Sequence, residues 1–318
     1  DLAYALSLIL LDLADYGDAQ STLDRGLAFA QAAADPLAEA NILQGLGRLA
    51  YSQGRLLESL EYLRRNLAVF RSLGDQGGEA RMLSNIALVS TELGQFQDAL
   101  DSYAQSLEIA RSIGNTFSES ITLTNMGQMY WTLGRFTEGI DVSTRALALA
   151  ETLGDQQGIA LNQINLGELR SRQGEYQQAI DHLRHGIRIA RETGLTSELA
   201  QGLGTLAGVV LRTGDVEQAR RLAVEALNVV REHDLRLYQP DAIEQIARIA
   251  IAEECWADAA RLLGFAAAQR HEQGIRLGPT QERDHRELNA AVQARLDPAE
   301  RERLAAEGAS TTIQELTR

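Results

Sequence analysis

One spacing constrains this chain more than any other feature. An aromatic or large apolar residue recurs every 40 positions, at Tyr16, Leu56, Phe96, Phe136, Tyr176, Val216 and Trp256. Two residues before it stands a glycine, at Gly54, Gly94, Gly134, Gly174 and Gly214, and three residues after it a small residue, from Ala19 through Ser59 and Ala99 to Ala259. A second punctuation mark falls midway, at Gly74-Asp75, Gly114-Asn115, Gly154-Asp155, Gly194 and Gly274. A fixed period of this size means stacked units that share one continuous core, and a chain that can grow without splitting into globular domains. Such chains bind along a surface more often than they carry chemistry in one pocket.

Inside each period lie two amphipathic segments. In residues 76–113, Leu83, Ile86, Ala87 and Val89 form one helical apolar stripe, which Gly94 ends. Phe96, Ala99, Leu100, Tyr103, Leu107 and Ala110 form a second, which Gly114 ends. The short turn between them makes the two helices antiparallel neighbours. The small residues Ala87 and Ala99 let them approach closely. The same reading fits 36–73, 116–153, 156–193 and 196–233, and fits 1–33 and 236–274 with losses. Ala14 and Glu254 take the turn-glycine place, and His233-Asp234 replaces the earlier glycine. Past Gly274 the period stops. Gly278-Pro279-Thr280 opens a helix through about Leu296, Asp297-Pro298 caps a second, and Ser310-Thr311 begins a last short one. The expected organisation is a repeat solenoid over 1–275 and capping helices over 276–318 that cover the open end of the core.

Composition narrows function by exclusion. The 318 residues are 45% hydrophobic, enough for a large core, and carry a formal net charge of −14. That argues against direct nucleic-acid binding, which needs a basic face. All 30 basic residues are arginine, so chemistry that needs a lysine, such as a Walker A loop or a Schiff base, has none to use. The single cysteine, Cys255, allows no intrachain disulfide and fits a reducing cytoplasm. No stretch reaches the roughly 18 apolar residues of a membrane span. The chain opens at Asp1 on what reads as mid-helix, so a fragment of a longer protein is expected, with further domains attached.

The residues Leu83…Ile86-Ala87…Gly94-Gln95-Phe96…Ala99…Ser106, and Leu123…Met126-Gly127…Tyr130…Gly134-Arg135-Phe136…Gly139…Ala146, resemble the tetratricopeptide repeat. The period of that family is about 34. Here it is 40 and the closing proline is absent, which resembles the extended repeats of kinesin light chains. The resemblance covers 1–274. It implies an all-α, right-handed superhelical solenoid of about seven helix pairs, with the first helix of each pair on the concave side. More narrowly, Ala259-Ala260-Arg261-Leu262-Leu263-Gly264-Phe265-Ala266-Ala267-Ala268-Gln269-Arg270, followed by Gly278-Pro279 and Arg/Glu/Leu-rich helices, is similar to the C-terminal end of bacterial STAND-type signal-transduction ATPases. Their nucleotide-binding motif and helix-turn-helix have no counterpart in this sequence.

If the first helices line a groove, their non-core positions are the candidate site. One position holds Asn85, Asn125 and Asn165, with Gly45, Thr205 and Gln245 in the other repeats. An asparagine donates and accepts at once and can hold the backbone of an extended peptide, or bond the neighbouring repeat. Arg48, Arg81, Arg172, Arg212 and Arg248 fall on the same face; their forks suit carboxylate or phosphate, or pair locally with Glu92 or Glu168. Tyr51, Trp131 and Gln128 add flat apolar contact and a hydrogen-bonding group. His182 and His185 read as outer-surface residues, Gly202–Gly208 as close helix packing, and Cys255 as a half-buried structural thiol. The sequence therefore predicts no enzyme, metal or cofactor. It predicts a binding module for a protein or peptide segment or a small effector, acting as sensor or scaffold of a larger bacterial regulator. The alternative is a structural or oligomerising arm with no ligand.

Overall fold

The computed structural model describes residues 16–312, so the expected helix before Tyr16 and the Ala14 turn lie outside the described residues. Among those residues every element is helical. The chain forms α1 (Tyr16–Ala32), α2 (Pro36–Ser52), α3 (Leu56–Leu73), α4 (Gln76–Glu92), α5 (Phe96–Ser112), α6 (Thr116–Thr132), α7 (Phe136–Leu153), α8 (Gln156–Arg172), α9 (Tyr176–Thr193), α10 (Thr196–Arg212), α11 (Val216–Glu232), a short 3-10 turn (Arg236–Tyr238), α12 (Gln239–Ala252), α13 (Trp256–Glu272), α14 (Pro279–Gln293) and α15 (Pro298–Ala309). The helices pack consecutively in pairs, as a repeat solenoid requires. Packing divides the chain into two compact units, Asp1–Met126 and Gly127–Arg318.

The turn chemistry explains the spacing. The glycines at 54, 94, 134, 174 and 214, and those at 74, 114, 154, 194 and 274, all have φ between 66° and 95°. That left-handed conformation is open to glycine without a Cβ clash. After α4 the amide of Gly94 donates to the Thr91 carbonyl and that of Gln95 to the Ser90 carbonyl, closing the helix in a Schellman turn. In the midway Gly-Asp and Gly-Asn pairs the second residue starts the next helix. Asp75 accepts from the Gly78 amide at 2.9 Å, Asn115 from Ser118 at 3.0 Å and Asp155 from Gly158 at 3.0 Å. One dipeptide thus ends one helix and caps the next.

Within a pair the small residues set the distance. Ala87 and Ala99 are fully buried. A Cβ on Gly167 would overlap the Leu183 side chain and come 3.0 Å from the Ala179 carbonyl. Ser59 and Ser106 take part in the same close packing and donate to the carbonyls of Gly47 and Ala80 at 2.8 and 2.7 Å.

The two described C-terminal helices pack in different ways. α15 does cover α13: Leu304 joins the core of Ile243, Ala247 and Leu263, and the backbones touch where a Cβ on Gly264 or Gly308 would overlap the carbonyl of Ala305 or Arg261. Ser310 ends α15, and the last short helix expected after it lies outside the described residues. α14 does something else, described below.

Two outcomes follow for stability. Glu254 carries the turn-glycine conformation at φ 59° with a Cβ; replacing it by glycine should raise unfolding free energy by about 1 kcal/mol in urea titrations. Gly308→Ala should lower it by about 1–3 kcal/mol, since neither backbone can yield cheaply.

Candidate functional site

In the second unit a cavity of about 450 Å³ opens on the face made by the first helices α6, α8, α10 and α12, with α14 along its side. The 40-residue period orders its wall. Asn165, Thr205 and Gln245 form one column, Glu168, Gly208 and Arg248 a second three residues on, and Arg172 and Arg212 a third four residues further. Positions i, i+3 and i+7 share one helix face, so stacking three helices in register brings the columns side by side.

Of the residues singled out from sequence, Asn165, Gln128, Trp131, Arg172, Arg212 and Arg248 meet around this cavity. Asn85, Asn125, Arg48, Arg81 and Tyr51 belong to the first unit and are not part of it. There Arg48 and Tyr51 are exposed, Asn85 is half-buried and Arg81 lies 5.4 Å above the ring of Phe70. Asn125 donates to Ser84 of the preceding repeat at 3.5 Å, a bond between repeats rather than towards a ligand.

The arginines are paired differently from the local expectation. Arg172 grips Asp284 of α14 with both arms of its guanidinium, one contact being 2.9 Å, and Arg248 stands 3.6 Å from the same carboxylate. Asp284, not Glu168, takes the hydrogen bonds of Arg172. Burial would raise the Asp284 carboxyl, but the Arg172 hydrogen bonds and the Arg248 charge outweigh it and hold it below the usual range. Arg172 also lies 5.8 Å over the indole of Trp131. Arg212 reaches only Ser171, at 3.5 Å.

Glu168 is half-buried between these groups. Desolvation raises its carboxyl to about 7, against the pull of Arg172 and Arg212. Glu244, beneath α14, shows the opposite balance. Burial would raise it, yet hydrogen bonds from His285 and Arg270 hold it at about 2. Among the described residues three donors on the wall have no acceptor: Trp131 Nε1, Asn165 Nδ2 and Arg270 Nε are buried and unpartnered. The face therefore offers more hydrogen-bond donors than the chain itself satisfies.

Several contributors escaped the sequence reading. Asp284 sits outside the repeat, so no period points to it. Gly204 and Gly208 were read with Gly202 as packing glycines. Gly202 is tight against Ile187, a Cβ on Gly208 would press on the Gln245 side chain at 3.1 Å, and Gly204 has ordinary room, with Gln245 at 3.8 Å. His182 is half-buried rather than on the surface, its Nδ1 2.7 Å from Gln163 Oε1, and burial lowers its pKa. Cys255 is exposed at the start of α13, not half-buried. Among the described residues no group of three or more His, Cys, Asp and Glu could hold a metal ion, and no helix is long and apolar enough to cross a membrane.

Comparison with known proteins bears on the helix pairs. The tetratricopeptide-repeat family profile matches residues 38–112 and 118–192. These are tetratricopeptide repeats. The solved structure of NprR in complex with its cognate peptide NprX is 18% identical with a TM-score of 0.64, over 99% of this chain and 87% of that one. A Rap protein complexed with Competence and Sporulation Factor is 15% identical with a TM-score of 0.64, over 91% and 81%. BtubC from P. vanneervenii is 22% identical with a TM-score of 0.54, over 60% and 80%. At such identities the likeness is one of fold. No curated protein sequence matches the chain.

Glu168 gives the second unit a signature in pH. Its ordinary pKa is 4.5 and its folded value about 7, so between these the folded form holds the extra proton and stability falls as pH rises. Urea unfolding of Glu168→Gln should show a flatter profile across that window and greater stability than the wild type at about pH 8. Glu244 acts with the reverse sign: its contribution is present above 4.5 and is lost as pH falls towards 2.

Proposed function

We propose that the chain is a protein- or peptide-binding module, the sensor or scaffold part of a larger bacterial regulatory protein. It holds an extended segment on the first-helix face. The observation that carries this reading is the cavity wall: Asn165, Thr205 and Gln245 in one column, beside Arg172, Arg212 and Arg248. Side-chain amides and a hydroxyl suit the alternating donors and acceptors of a peptide backbone, and the arginines suit its carboxylates. Two structures of similar fold, NprR with NprX and a Rap protein with Competence and Sporulation Factor, were solved with such partners. In the first unit Asn85, Asn125, Arg48, Arg81 and Tyr51 are proposed to offer a recognition surface of that unit's own. The similarity of Ala259–Arg270 to STAND-type proteins supports the regulatory setting.

A rival reading, an arm that spaces or oligomerises other domains, draws on one observation: α14 already lies along this face.

Binding to arrays of short synthetic peptides separates the two. The wild type should capture a subset of peptides and Asn165→Ala should weaken that capture about tenfold or more. Gly204→Leu should abolish it by filling the cavity while adding about 0.5–1 kcal/mol of helix stability. A blank array, or hits indifferent to both substitutions, would reject the binding reading.

A further inference from the structure

α14 is built from two unlike halves. Its buried stripe runs Thr280, Asp284, Leu288 and Val292, one residue per turn. Leu288 and Val292 enter the core with Ile243, Ala247 and Leu263. Thr280 and Asp284 bury polar groups instead. The Thr280 hydroxyl reaches the carbonyls of Trp131 and Thr132, 2.9 Å from each, at the open end of α6, and Asp284 joins Arg172 at the end of α8 and Arg248 on α12. The N-terminal half is thus held at three first helices by hydrogen bonds and charge, with little apolar burial. The six residues Gln273–Gly278 that lead into it are not helical.

We propose that residues 278–287 are a stand-in for the ligand, occupying the first-helix face until an acidic peptide segment displaces them and sets its own carboxylate between Arg172 and Arg248. The inference rests on the peptide-binding reading above. For the arginines the exchange is even, while Glu244 gives up its hydrogen bond from His285 and keeps that from Arg270. Both arginines keep a carboxylate, so neither is left buried and unpaired, which is the expensive outcome for such groups. The incoming segment gains what the stand-in leaves unused: the unpartnered Trp131 Nε1 and Asn165 Nδ2, and the loosely held Arg212. The tether gives the stand-in a high effective concentration, on the order of millimolar for a short link, so it screens out weak ligands. Leu288 and Val292 keep the rest of α14 in place while the polar half lets go.

The geometry supplies a lock. A Cβ on Gly278 would lie 3.7 Å from that of Thr132, within the span a disulfide bridges. The protein for the test is the full chain with Thr132→Cys and Gly278→Cys in a Cys255→Ser background. The probe is a fluorescein-labelled synthetic peptide with the sequence of residues 279–293. Reduced protein should bind it at least about tenfold more tightly than oxidised protein, and a probe with Asp284→Asn should bind about tenfold more weakly. Equal binding in both redox states, or no binding to the reduced form, overturns the proposal, because a stand-in must fit the face it covers. Hits on the peptide array would then leave the binding reading intact. Hydrogen exchange on the otherwise wild-type chain tests the release without any ligand. Amides of 280–287 should exchange faster than those of α12 and α13, and Asp284→Asn should speed them about tenfold or more while α12 and α13 stay unchanged. Exchange of 280–287 in step with α13 in both proteins overturns it.

Discussion

Everything in this molecule depends on a reversal of the chain roughly every 20 residues through one left-handed residue. Stacked helices share a core only if each ends at the same height as its neighbour, and the αL turn sets that height. Where glycine occupies the place, the turn is free of strain. Where Ala34, Asp234 or Glu254 does, the same φ is imposed on a side chain by the packing on either side. The backbone geometry is therefore more uniform than the sequence, and the repeat persists where its glycine signature has faded.

That uniformity makes side-chain placement arithmetical. Once turns are equivalent, residues 40 apart stand side by side, and residues three and seven further on widen the strip. The helix pairs, their caps and the face containing Asn165, Arg172, Arg212 and Arg248 were legible in the sequence because the period fixes which residues share a helix face. Glycines were ambiguous for a related reason. Gly202 and Gly208 look alike in sequence, yet one lies towards Ile187 and the other towards the cavity, a difference of helix face set by six residues of rotation.

Asp284 was illegible because it obeys no period. Its place is decided by the path of six non-helical residues and by a bidentate grip 112 positions away in sequence. An arginine on a repeat face announces that it can hold a carboxylate, but not which one. The two described C-terminal helices differ for the same reason. Leu304 and Leu288 mark apolar surface that must be covered, whereas the polar half of α14 is directed by charge, which composition cannot locate.

The column Glu168, Gly208 and Arg248 has one more implication. It begins with an acid, passes a position with no side chain and ends with a base, on three successive first helices. A wall whose charge changes sign along its length distinguishes the two ends of anything dipolar laid against it. A peptide with its amino end towards Glu168 and its carboxyl end towards Arg248 has a lower electrostatic energy than the same peptide reversed. Because the Glu168 carboxyl titrates at about 7, this polarity is itself graded by pH. Below neutrality only the basic pole of the column remains; above it both poles are charged.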